Sequence, residues 1–268
     1  SVILSRERKE LAAKSKDSLP KNNRQDITGN RQRRKYMYNN RIEENILYED
    51  KEILVCRKPA GMPVQAAKVG TMDMESALKN YLAQKEPGKT PYLGIVHRLD
   101  QPVEGVLVFA KTPGAAGSLS KQIMAGGAGK YYMAVTEEKI TNAEGTLTNY
   151  LKKNGRANMS QVVPENTQGA KKAILHYQVL DQKEINGKTR TLLKIKLETG
   201  RHHQIRVQMA HAGMPLLGDR KYNPSGEKGT SLGLCSCSLV FKHPKTGKQI
   251  KFETEPHGSA FLDFVKKL

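Results

Sequence analysis

His97-Arg98-Leu99-Asp100 places an imidazole, a guanidinium and a carboxylate within four positions, directly ahead of the apolar run Gly105-Val106-Leu107-Val108-Phe109-Ala110. A carboxylate at the end of a buried strand is fixed by the scaffold while its head reaches solvent. That suits it to act as a nucleophile or a proton acceptor. Glu104 supplies a second acid, but Pro102 bars a regular helix through both, so the two need not share a helical face. Spacing alone also allows a surface ion-pair cluster.

A second cluster is Glu198-Thr199-Gly200-Arg201-His202-His203-Gln204-Ile205-Arg206. It turns at Gly200 and runs into a helical segment that Thr199 is expected to cap. His202 and His203 are neighbours, and neighbours point in different directions on a helix or a strand. No third ligand has suitable spacing, so no metal site is expected. Arg206 lies between Ile205 and Val207, where an arginine is rarely buried without a carboxylate. Asp100 is a candidate partner, although spacing cannot pair them. In Gly126-Gly127-Ala128-Gly129-Lys130-Tyr131-Tyr132 a phosphate-loop reading fails, because Met124 and Tyr131 stand where Gly and Ser or Thr are required. A hinge into a strand is the better account, and one of the tyrosines could stack on a base in an RNA-binding protein.

These side chains need elements to hold them. Ile53 to Cys56 reads as a strand ended by a turn at Lys58-Pro59-Ala60-Gly61, Met74 to Gln84 as a helix, and Gly105 to Ala110 as a buried strand. Ala115 to Met124 is predicted helical. Tyr131 to Thr136, Ile174 to Leu180 and Leu192 to Leu197 are predicted strands, Gln204 to Ala212 a helix, and Ser238 to Phe241 with Ile250 to Glu253 a hairpin. Many strands with few helices between them give an α+β fold with a mostly antiparallel sheet.

The chain has 268 residues and a formal charge of +19, with a pI near 9.8. Such an excess favours a polyanionic partner, because basic groups on phosphate release counterions. Residues 1–42 hold 12 Lys and Arg against 4 acids and lack sustained apolar periodicity, so they read as a basic arm ahead of a domain at 43–268. Cys56, Cys235 and Cys237 have no disulfide or zinc framework and are expected to be reduced thiols. With no apolar run of membrane-spanning length and too short an apolar start for a signal segment, a cytoplasmic protein with no membrane partner is expected.

Taken together, the motifs resemble one family. His97-Arg98-Leu99-Asp100, with Gly105 and then Val106 to Lys111, resembles the central motif of RluA/RluD-type pseudouridine synthases. Lys58-Pro59-x-Gly61 is similar to the family's opening turn, and Lys130-x-Tyr132-x-Ala134 to its Lys-x-Tyr-x-Ala block. Thr199-Gly200-Arg201-x-His203-Gln204-Ile205-Arg206-Val207, followed by Ala210-His211-x-Gly213-x-Pro215-x-x-Gly218-Asp219, is the longest match. The resemblance spans about residues 46–256 and implies a mixed, mostly antiparallel, bent central sheet with flanking helices and loops. It implies isomerisation of uridine in ribosomal or transfer RNA without cofactor or metal. Asp100 would be the essential carboxylate, Tyr132 the tyrosine against the base and a potential general base, Arg206 the buried partner of Asp100, and Arg98 the arginine that fills the space left by a flipped base. His97, Arg201, His203, Gln204 and Lys130 are the further residues expected at the substrate. No DNA partner is expected, and a monomer is. The sequence departs from the pattern at Val103-Glu104, where most relatives have Thr-Ser, and at Leu234-Cys235-Ser236, where they have Leu-His-Ala. The family's small RNA-binding module is not recognisable in residues 1–42. Two other readings compete with catalysis on RNA: a non-catalytic RNA-binding module, and a glycoside hydrolase built on Asp100 and Glu104.

Overall fold

A computed structural model describes residues 42–66, 70–224, 226 and 228–267. The expected basic arm therefore lies outside the described residues, except for Ile42, which is already buried in the main core. The strands are β1 (Ile46–Glu49), β2 (Ile53–Lys58), β3 (Gly94–Ile95), β4 (Glu104–Ala110), β5 (Gly129–Thr136), β6 (Glu144–Asn154), β7 (Met159–Val163), β8 (Lys171–Ile185), β9 (Lys188–Leu197), β10 (Leu234–Lys242) and β11 (Gln249–Glu253). Three α-helices accompany them among the described residues: α1 (Met74–Lys85), α2 (Pro113–Met124) and α3 (Gln204–His211).

All the strands join one sheet in the order β1-β2-β4-β10-β5-β9-β8-β6-β7, with β3 on β4 and β11 on β10. Every pairing is antiparallel except β4 with β10. That parallel seam joins the N-terminal strands to the rest. β4 is buried along its whole length, which explains its continuous apolar run in place of an alternation. Leu107 and Phe109 face the core under α1, while Val106, Val108 and Ala110 face Ala115 and Leu119 of α2. Asp73 caps α1 by accepting from Ser76 N, and Thr112 caps α2 ahead of Pro113.

The main core continues beneath β5, β8 and β9 with Ala134, Leu175, Leu193 and Ile195, and closes on Ile205 and Met209 of α3. Phe261 and Phe264, in a 3₁₀ segment at Ser259–Lys267, cover another part of the sheet with Val135, Leu192 and Cys235. The β8–β9 hairpin turns at Asn186-Gly187, both with positive φ (51° and 76°), the pairing a tight two-residue turn demands.

Candidate active site

Asp100 lies within the loop that runs from β3 to β4. The turn after β2 holds that loop from below. Lys58, the last residue of β2, is fully buried, and its Nζ donates to the carbonyls of Pro59 (3.0 Å), Met62 (2.7 Å) and Gln101 (2.9 Å). Gly61 N and Gln101 Nε2 complete the stitch, donating to Gln101 O and Gly61 O respectively. Burial pushes the Lys58 ammonium down to about 7, against the pull of Asp100 and Glu104.

Arg206 comes from α3 and is 4% exposed. Its Nε and Nη2 donate to Asp219 Oδ2 and Oδ1 at 2.8 and 2.7 Å, a bidentate pair, and its Nη1 donates to Asp100 Oδ2 at 3.2 Å. Asp219 also accepts from the backbone of Lys221 and Tyr222, and the Arg206 guanidinium lies 5.2 Å from the Tyr222 ring centroid. Gly218, at φ +70°, makes this turn possible, since a Cβ there would sit 2.3 Å from Ser231 O. The sequence therefore names one partner of Arg206 and misses the stronger one. Asp219 stands in the longest matching block, but nothing in its spacing assigns it to Arg206.

His203 approaches Asp100 Oδ2 with Nε2 at 3.6 Å. Its Nδ1 lies 2.8 Å from the Tyr222 hydroxyl, which itself accepts from Ser160 N. The phenol proton therefore goes to Nδ1, and Nε2–H faces Asp100. Burial, then Arg206, His202 and Lys221, push the His203 imidazole down to about 3, so it is neutral at physiological pH. Among the described residues no donor reaches Asp100 Oδ1, which leaves that oxygen to a substrate.

Asp100 is shared by two adjoining recesses. One encloses about 70 Å³ and is walled by Tyr132, Val103, Leu197, Ile205 and Leu234, with Arg98 and Arg201 at its edge. The other is about 590 Å³ and includes Asn158, His202, Arg220 and Lys221. Tyr132 is buried in β5, and burial pushes its phenol well above the usual range, Asp100 adding to the effect and Ser236 opposing it. It is a neutral phenol at physiological pH. Tyr131 leaves the opposite face, under Lys194.

Asp100, Tyr132, Arg206, His203, Arg98 and Arg201 thus meet around one opening. His97 does not: its Nε2 accepts from Val108 N at 3.1 Å, and burial, with Lys130 nearby, pushes it down to about 4. It braces the Asp100 loop on β4. Gln204 reaches the same recess, but its Oε1 accepts from Thr199 Oγ1 and Arg201 N, and its Nε2 donates to Ile174 O. Its polar atoms shape the 199–201 turn. Thr199 accordingly does not cap α3. The cap position is His203 in a left-handed conformation, φ 54°, which also overturns the expectation that the two histidines diverge: their rings stack at 3.8 Å. No group of three His, Cys, Asp or Glu suited to a metal occurs among the described residues. Lys130 is buried beside the 199–201 turn. Glu104 lines neither recess; its Oε1 accepts from His257 N (3.1 Å) and Gly258 N (2.8 Å), so it does not form an acid pair with Asp100.

A model of the RNA pseudouridylate synthase family matches residues 52–211. The ribosomal large subunit pseudouridine synthase D of Pseudomonas aeruginosa is 36% identical over 229 residues, which cover 80% of this chain and 68% of that protein. The uncharacterized RNA pseudouridine synthase YlyB of Bacillus subtilis is 34% identical over 216 residues, covering 79% and 69%. Human RNA pseudouridylate synthase domain containing 4 has the same fold, with a TM-score of 0.69 at 20% identity, over 83% of this chain and 94% of that one. An enzyme that isomerises uridine in RNA, the chain belongs to the RNA pseudouridylate synthase family.

Proposed function

We propose that Asp100 is the carboxylate that acts at the target nucleotide, and that the target lies in large-subunit ribosomal RNA. The observation that carries the first claim is the fixed carboxylate itself. Arg206, locked by Asp219, holds Asp100 Oδ2, and Asp100 lines a recess walled by Tyr132. The names of the bacterial relatives support the second.

The reaction breaks the bond from C1′ to N1, turns the uracil, joins C1′ to C5 and transfers the C5 proton away as N1 gains one. Asp100 serves the first step either by attacking C1′ or by taking the neighbouring 2′ proton. Arg206 fixes its position for both, through the hydrogen bond from Nη1 to Oδ2. The apolar wall of Val103, Leu197, Ile205 and Leu234 retains the free base, with Tyr132 packed on it. Unstacking the nucleotide costs about a few kcal/mol, offset by phosphate contacts and by Arg98, which stands exposed at the rim, donating to Gln65 Oε1, to fill the vacated place.

Replacing Asp100 by Asn keeps the shape and removes the charge. Mapping pseudouridine in total RNA from cells without the gene, complemented by either form, should show large-subunit sites that return with wild type and stay absent with Asp100→Asn. Restoration by the variant would refute the role of Asp100, and sites confined to transfer RNA would refute the target.

A further inference from the structure

Lys58 and Lys130 are both buried lysines, and they solve that problem differently. The Lys58 ammonium has three carbonyls. Lys130 is 7% exposed, yet among the described residues its Nζ has no hydrogen-bond acceptor and no carboxylate. Buried polar groups are almost always paired, so an unpaired ammonium needs a reason.

Its surroundings supply one. Lys130 precedes Tyr132 by two positions on β5, so both side chains leave the same face of the sheet. Its Nζ lies against Gly200, 3.2 Å from where a Cβ would stand, and the absence of that Cβ keeps the ammonium accessible through the turn. The atom is not sealed: fully buried side-chain atoms without partners occur among the described residues at Gln208 and Ser238, and Lys130 Nζ is not one of them. Next in the chain is Arg201, an exposed guanidinium tethered only through Nε to Lys172 O at 2.9 Å, on the edge of the Tyr132 recess. The His97 imidazole, on which Lys130 acts, is neutral, and Glu198 pairs with His176. Burial, and then Arg201, push the Lys130 pKa down, as two cations without an anion require.

We propose that Lys130 and Arg201 form a phosphate site that grips a backbone phosphodiester of the RNA strand whose uridine enters the Tyr132 recess. The proposal rests on the RNA-modifying reading of the Asp100 site. A phosphodiester fits because it brings the missing negative charge and several acceptor oxygens, and because the turn opens on the same edge as the recess.

The test uses the full chain carrying Asp100→Asn, so that binding is read without turnover, and a transcript of large-subunit ribosomal RNA. Lys130→Met should weaken binding about tenfold near 0.1 M salt and flatten the plot of log affinity against log salt by about 0.7–0.9, the release from one phosphate. Combined with Arg201→Gln, the loss should be smaller than the sum of the single losses, as expected for two groups on one phosphate. Without RNA, Lys130→Met should unfold at a higher temperature, because it removes an unpaired buried charge; a lysine with a structural task would give a lower one. An unchanged salt slope, fully additive losses or a lowered unfolding temperature would each overturn the site. If the slope changes as expected while the protein with Asp100 intact makes no pseudouridine, the site stands and the enzymatic role of Asp100 falls.

Discussion

Arg206 serves two carboxylates, and they do different work. Asp219 takes two of its nitrogens and is itself held by backbone amides, so the guanidinium has one orientation; Asp100 takes the third nitrogen and inherits that orientation. Asp219→Asn should therefore cost about 3 kcal/mol of stability, the usual result of breaking a buried pair from one side. It should also lower kcat at least tenfold, because Asp100 loses a fixed counterion; chemical unfolding and single-turnover kinetics read the two effects separately. How far such residues were legible depended on what their neighbours revealed. An arginine between Ile205 and Val207 demands a carboxylate, which made a partner for Arg206 expected, with Asp100 as the candidate. Asp219 carries no such sign, because its role arises only when the turn at Gly218 folds back. His97 was misplaced for the opposite reason: it stands in a charged run, but three residues along an extended loop is enough to face the other way, onto Val108 N.

At the scale of elements, the segments legible in the sequence were those buried on a regular face. Helices α1 and α2 and strands β2, β4, β5 and β9 all show apolar runs or alternation, and their observed bounds differ from expectation by a residue or a few. β6 was missed because Thr146, Thr148 and Lys153 leave too few apolar positions to mark a period. A signal for the β8–β9 register was present and unused in Asn186-Gly187. The packing of α1 on β1 yields a test with pH. Glu49, at the end of β1, is partly buried, which opposes ionisation, but donors from Lys111, Lys85 and Tyr81 outweigh this and hold its pKa at about 2, against 4.5. A depressed carboxylate stabilises the fold above pH 4.5 and loses that contribution as pH falls from 4.5 to about 2. Glu49→Gln should thus be about 1 kcal/mol less stable than wild type at pH 7, with the gap closing toward pH 2 in urea melts across that range.

At the scale of the molecule, charge and topology act together. Residues 1–42 hold 12 of the 45 Lys and Arg. Removing residues 1–41 should weaken RNA binding and flatten its salt dependence, measured by titration at several salt concentrations; an unchanged slope would mean that the arm touches no phosphate. The departure at Glu104 reads differently once folded, as a tie between the first residue of β4 and the backbone at His257 and Gly258. Nearby, the parallel seam between β4 and β10 is so close that a Cβ on Gly105 would stand 2.3 Å from Ser236 O. Because Arg206 is 106 positions downstream of Asp100 and the seam strand is later still, the order of synthesis matters. A chain emerging from the ribosome displays its aspartate long before the guanidinium that disciplines it exists, so competence arrives abruptly, only after both have been made. Recovery of turnover is for that reason a stringent reporter of complete folding, where recovery of secondary structure is not.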